Sequence, residues 1–124
     1  MLTHVHELLL EQLNQLKNLK NDEIIVVEGK NDMRALRKLG IDSSIFLLNN
    51  RYKSLVERSE SLAKSSRVIL LLDTDQKGQE LTKQMQNHLK DQGVHVNTKL
   101  GKTLLRTAGC RTVESLASVL NKTG

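Results

Sequence analysis

Glu28, Asp73 and Asp75 are the side chains whose types and positions could do chemistry together. Glu28 closes the β-branched run Ile24-Ile25-Val26-Val27, while Asp73 and Asp75 follow the apolar residues Val68 to Leu72. Both runs are short, continuous and apolar, the pattern of a strand buried on its two faces. Anions at the mouth of a buried core are costly unless a positive charge meets them. Carboxylates with no His or Cys nearby suit a hard cation, Mg²⁺ or Mn²⁺, better than zinc. A cation held there would neutralise charge building on a phosphodiester during transfer. The same acids have a plainer role to offer, capping the next helix and facing its N-terminal dipole. Capping accounts for one Asp well and two poorly, and leaves Glu28-Gly29 unexplained.

The elements around these acids follow from hydrophobic spacing. Val5, Leu8, Leu9, Leu13, Leu16 and Leu19 recur at three and four, predicting an amphipathic helix over residues 2–20. After the first strand, Asn31 can cap a helix carrying Met33, Leu36 and Leu39 and closed by Gly40. Ile45 to Leu48 reads as a second strand, and a helix with a sparse apolar side is expected from Arg51 to Ser65. Val68 to Leu72 is the third strand. A turn from Asp73 to Gly78 leads to a helix with Leu81, Met85 and Leu89, stopped by Gly93. Val94 to Val96 makes a short fourth strand, Gly101 to Gly109 one or two helical turns, and Thr112 can cap a last helix. Strands alternating with helices predict an α/β fold, a parallel sheet covered on both faces. Ligands of such sheets bind beyond the carboxyl ends of the strands, where Glu28, Asp73 and Asp75 stand.

At 124 residues, one domain is expected: an N-terminal helix over 1–20, a core over 23–97 and a basic helical part over 98–124. Lys and Arg number 19 against 14 Asp and Glu, a net charge of +5 that suits a polyanion partner. Lys99, Lys102, Arg106 and Arg111 occupy residues 97–111 with no acid among them. Aromatic residues are only 2%, too few for a base-stacking platform, so RNA or DNA would be held through its phosphates. Lys30 and Lys77, beside the acids, could join those contacts, although any one charged run also fits a solvated face. The four histidines show no metal-ligand spacing. The single Cys110 cannot form an internal disulfide and points to a reducing cytoplasm; Arg111 beside it could lower the thiol pKa, but a buried or idle thiol is the expected reading. No apolar run approaches the roughly 20 residues of a membrane helix.

Rival readings of the acids fail on particular residues. An EF-hand starting at Asp73 would need an oxygen ligand at Lys77 and a Glu at Gln84. A phosphate loop ending in Gly29-Lys30 would need a glycine at Ile24. A phosphoacceptor receiver domain fits the length and an acid on the third strand, but Glu28 is followed by glycine where a receiver usually has adjacent acids.

Ile24 to Asp32 (IIVVEGKND) followed by Leu70 to Gly78 (LLLDTDQKG) resembles the two signature motifs of the Toprim domain, a strand ending in Glu-Gly and a strand ending in DxDxxG. That Rossmann-like domain is shared by topoisomerases, bacterial-type primases, old-family nucleases and the bacterial maturase of 5S ribosomal RNA. The resemblance covers roughly residues 23–96 and is closest to small stand-alone and maturase-type members. It implies a sheet of about four strands sandwiched by helices, here with an extra N-terminal helix. It implies that Asp73 and Asp75 coordinate Mg²⁺, and that Glu28 is the acid/base of phosphoryl transfer and part of the metal set. Gly29 and Gly78 would then bring backbone close to phosphate. Departures limit the activity: 124 residues cannot hold the template-gripping regions of a primase. For the tyrosine nucleophile that topoisomerases bring from another domain, the one candidate here is Tyr52, just after the second strand and more simply read as a half-buried aromatic. The glutamate that many relatives place just after the DxDxxG glycine is Gln79 here. Three readings follow: a Mg²⁺-dependent nuclease of RNA processing or DNA, a non-catalytic nucleic-acid-binding or regulatory subunit of a larger processing complex, and a receiver-like signalling module.

Overall fold

The computed structural model describes residues 4–49 and 54–123. Four strands, β1 (Glu23–Val27), β2 (Ile45–Leu47), β3 (Arg67–Leu70) and β4 (His95–Asn97), form one parallel sheet in the order β2-β1-β3-β4. The helices are α1 (His4–Lys17), α2 (Lys30–Lys38), α3 (Leu55–Ser61), α4 (Gln76–Asp91), α5 (Lys99–Ala108) and α6 (Ser115–Thr123). The expected four-stranded parallel sheet between helices is therefore present, with α1 as the added N-terminal helix.

Alternation along the strands divides the core in two. Ile25, Val27, Ile69 and Leu71 face one way and pack with Leu9, Leu13 and Leu16 of α1, Leu36 of α2, and Leu104 and Leu105 of α5. Val26, Val68, Leu70 and Leu72 face the other way, onto Leu62 and onto Met85 and Leu89 of α4. Each β-branched run is buried on both sides, which is why neither alternates with polar residues.

Several boundaries differ from the sequence expectation. Helix α2 starts at Lys30 with Gly29 as its N-cap, because Asp32 reaches back to the Gly29 N–H at 3.1 Å and makes Asn31 an interior residue. Helix α5 is a full ten residues rather than one or two turns. Asn97 Oδ1 accepts from the Leu100 N–H at 3.0 Å and starts it, and Gly109, at φ 73, ends it. Gly101 lies inside this helix because a Cβ there would come within 2.7 Å of the Leu70 carbonyl oxygen. Helix α3 starts at Leu55, where Ser54 Oγ accepts from the Glu57 N–H. Arg51 and Tyr52 lie outside the described residues. In α1 the predicted apolar stripe is buried at Leu9, Leu13 and Leu16, while Val5 and Leu8 are exposed. No helix among the described residues is long and apolar enough to cross a membrane.

Candidate metal and phosphate site

The two strands that end in acids are neighbours. β1 pairs with β3 through Ile25↔Ile69 and Val26↔Leu70, and the Leu71 N–H extends the ladder to the Val26 carbonyl at 2.9 Å. From β1 the sheet grows outward to β2, and from β3 to β4, so the strand order reverses between them. A parallel sheet opens its ligand crevice at that point. A cleft of about 530 Å³ lies there, lined by Glu28, Lys30, Asp32, Asn49, Asp73 and Glu114 among others.

The turn after β3 is tightly built. Asp73 Oδ1 accepts from the Val113 N–H at 2.8 Å, and the Thr74 N–H and hydroxyl both donate to the Arg111 carbonyl, at 2.8 and 3.2 Å. Asp75 is the N-cap of α4, its Oδ1 accepting from the Gly78 N–H at 2.7 Å. The plain capping role thus falls to Asp75 alone, while Asp73 is held by a segment forty residues further along the chain. Gly78 is buried, and a Cβ there would sit 2.0 Å from the Asp73 carbonyl oxygen. The glycine lets the first turn of α4 rest directly on the backbone that carries Asp73.

The turn after β1 is looser. Gly29 has extended backbone, φ −151 and ψ −175, and a Cβ on it would meet nothing nearer than Asn49 Nδ2 at 4.0 Å. Glu28 is half-exposed and pairs with Lys77 Nζ at 3.6 Å. Asp32, bonded to the Gly29 N–H, has its pKa raised above the usual carboxylate value of 3.8. Burial is the main cause, opposed by the Gly29 hydrogen bond and reinforced by the charges of Asp73, Glu28 and Glu114. The carboxylate of Asp32 thus feels the three other acids of the cleft. Among the described residues, no group of three or more His, Cys, Asp or Glu is drawn tightly enough to hold a metal ion as it stands.

The structure brings some of the expected residues together and separates others. Glu28, Gly29, Lys30 and Asp73 line the cleft, whereas Asp75, Lys77 and Gly78 belong to the start of α4 beside it. Lys102, Arg106 and Arg111 gather in a second pocket with Thr74, Gln79 and Cys110. Lys99 stands apart, in a groove against Leu8 and Gln12 of α1. Asp32 and Glu114 were not among the expected site residues. Asp32 carried a signal in its capping-box spacing from Gly29, but Glu114 carried none. The thiol pKa of Cys110 is shifted upward, first by burial and then by the Asp73 carboxylate, in keeping with an idle thiol.

Comparison with known proteins agrees with this fold. The family model of the Toprim domain matches residues 22–98. A UPF0292 protein of Methanocaldococcus jannaschii is 33% identical over 94% of this chain and 92% of its own length. Ribonuclease M5 of Mycoplasma pneumoniae is 37% identical over 62% of this chain and 44% of its own length. Among solved structures, a putative protein from Aquifex aeolicus superposes with a TM-score of 0.72 at 30% identity, covering 85% of this chain and 94% of that one.

Proposed function

This chain belongs to the Toprim domain family, and we propose that it is a Mg²⁺- or Mn²⁺-dependent enzyme that hydrolyses phosphodiester bonds in RNA or DNA, in the manner of an RNA-processing nuclease. The observation that carries this reading is the meeting of Glu28, Asp32, Asp73 and Glu114 in one open cleft where the strand order reverses. Mutual repulsion among these carboxylates gives a divalent cation its favourable place. Asp73 and Asp75 would hold it, each through the oxygen left over from its bond to Val113 or Gly78. The ion would supply charge neutralisation at the scissile phosphate.

Glu28 is the acid/base of the reaction. It takes the proton of the attacking water or returns one to the leaving oxygen. Lys77 beside it, with Lys30 at the cleft wall, offers cations to the phosphates that flank the cut. Lys99, Lys102, Arg106 and Arg111 extend the phosphate contacts, and a cytoplasmic location belongs to the same proposal. The family match leaves the receiver reading without support.

A second reading keeps the cation and the nucleic acid but not the chemistry, making the chain a binding or regulatory subunit. It is favoured by the loose spacing of the acids. Labelled RNA and DNA, incubated with wild type and Glu28→Gln in Mg²⁺, Mn²⁺ or EDTA, separate the two. Cleavage by wild type with metal, lost in EDTA and lowered at least about a hundredfold in Glu28→Gln, is the expected result for an acid/base residue. Metal-dependent binding without cleavage in any arm would establish the second reading.

A further inference from the structure

We propose that the basic pocket formed by Lys102, Arg106 and Arg111 binds the terminal phosphate monoester of a nucleic-acid strand and so sets which diester enters the acidic cleft. This rests on the nucleic-acid reading above and adds the part of the substrate that is recognised. Lys102 and Arg106 are one turn apart on α5, and Arg111 reaches the same pocket from the segment that follows. The pocket encloses about 420 Å³, and no carboxylate lines it.

The other polar groups of this pocket are already engaged with one another. Gln79 Nε2 donates to the Thr74 carbonyl at 2.8 Å, and the Thr74 hydroxyl donates to the Arg111 carbonyl. By contrast, the three cationic heads have no hydrogen bond or ion pair to any described residue. Some other cations of the chain are engaged: Arg37 on the carbonyls of Ile41 and Ser43, Arg67 on Glu23, and Lys77 on Glu28. What sets Lys102, Arg106 and Arg111 apart from the remaining lone lysines among the described residues is that they share one pocket. Three like charges gathered without a counter-charge repel, and an anion relieves that cost. An internal diester brings one negative charge, whereas a terminal monoester brings close to two near neutral pH, since its second pKa is about 6. The monoester also has three free oxygens to receive guanidinium and ammonium donors, where a diester has two.

The pocket and the acidic cleft are joined through the turn after β3. Thr74 lines the pocket and follows Asp73, which lines the cleft. Arg111 lines the pocket and holds Thr74 through its carbonyl, and two residues later Val113 holds Asp73. A strand end fixed by Arg111 is thus fixed relative to the carboxylate that would hold the metal.

Calorimetry in EDTA tests this without any need for cleavage, using short single-stranded oligonucleotides with a 5′-phosphate, a 3′-phosphate or neither. A phosphate at one end should tighten binding at least about tenfold, the effect of one charge-assisted hydrogen bond. Lys102→Ala with Arg106→Ala should erase that preference, and a thermal melt confirms that the exposed substitutions leave the fold in place. Arg106→Lys, which keeps the charge and loses the planar fork, should retain part of it. Equal affinity for all three oligonucleotides, or a preference that survives the double substitution, would overturn the proposal. Because no step here depends on hydrolysis, failure of this test leaves the Glu28 experiment untouched, and the reverse also holds.

Discussion

The two turns that carry the acids have the same outline, a buried strand, an acid and a glycine, yet they are built differently. After β3, Gly78 touches backbone so closely that a Cβ would lie 2.0 Å from the Asp73 carbonyl oxygen, and both aspartates spend an oxygen on backbone N–H groups. After β1, Gly29 is open, with its nearest neighbour 4.0 Å from a Cβ. The Glu28 carbonyl accepts from the Asn49 N–H at 2.8 Å, but its carboxylate meets only an exposed lysine among the described residues. One turn is a rigid mount for Asp73. The other leaves room beside Glu28 for something to enter. Similar motif letters thus serve packing on one side and access on the other.

The sharpest way to break this contrast is Gly78→Ala. The added methyl cannot avoid the Asp73 carbonyl without moving α4 or the turn, so a loss of about 3 kcal/mol or more is expected. Urea unfolding reads it directly, and an unchanged midpoint would mean that the turn is as loose as its counterpart. Next in size is the loss of metal in Asp73→Asn with Asp75→Asn. Asparagine keeps an acceptor for the Val113 and Gly78 N–H groups, so the fold should persist while divalent binding disappears in calorimetry. Wild-type affinity in the double variant would show that the mount holds no metal.

A smaller effect concerns Asp32, which joins the two turns electrostatically. Its folded pKa is raised, so between about 3.8 and that raised value the folded chain binds more protons than the unfolded one. Stability from this group is therefore present at low pH and lost as pH rises through the window. Asp32→Asn retains an acceptor for the Gly29 N–H and should raise the melting temperature near pH 7, with the difference shrinking toward pH 4. A difference that is constant with pH would mean that burial and the neighbouring charges do not raise its pKa. The smallest change is expected for Gly29→Ala, within about 0.5 kcal/mol of wild type, because its extended backbone suits any residue. Metal-dependent cleavage should nevertheless fall, since the methyl would project toward Asn49 at the cleft. Full activity in that variant would remove the distinction between the turns.

Much of the fold could be read from the chain itself because the signals are local. The continuous apolar runs at Ile24–Val27 and Val68–Leu72, bounded by turn residues, read as inner strands, and the spacing of Leu81, Met85 and Leu89 reads as a helix face. Carboxylates ending those strands point to a cation for the same local reason. Element ends were less legible where they rest on one long-range contact, as at Gly101 against the Leu70 carbonyl. What only the tertiary structure decided is adjacency. The order β2-β1-β3-β4 sets Glu28 and Asp73 on neighbouring strands, and the docking of residues 111–113 on the β3 turn adds Glu114 to the cleft and splits Lys99 from Arg106 and Arg111. Periodicity fixes which face of an element is apolar. Which elements then share that face depends on packing between residues far apart in the chain, and no spacing along the sequence encodes it.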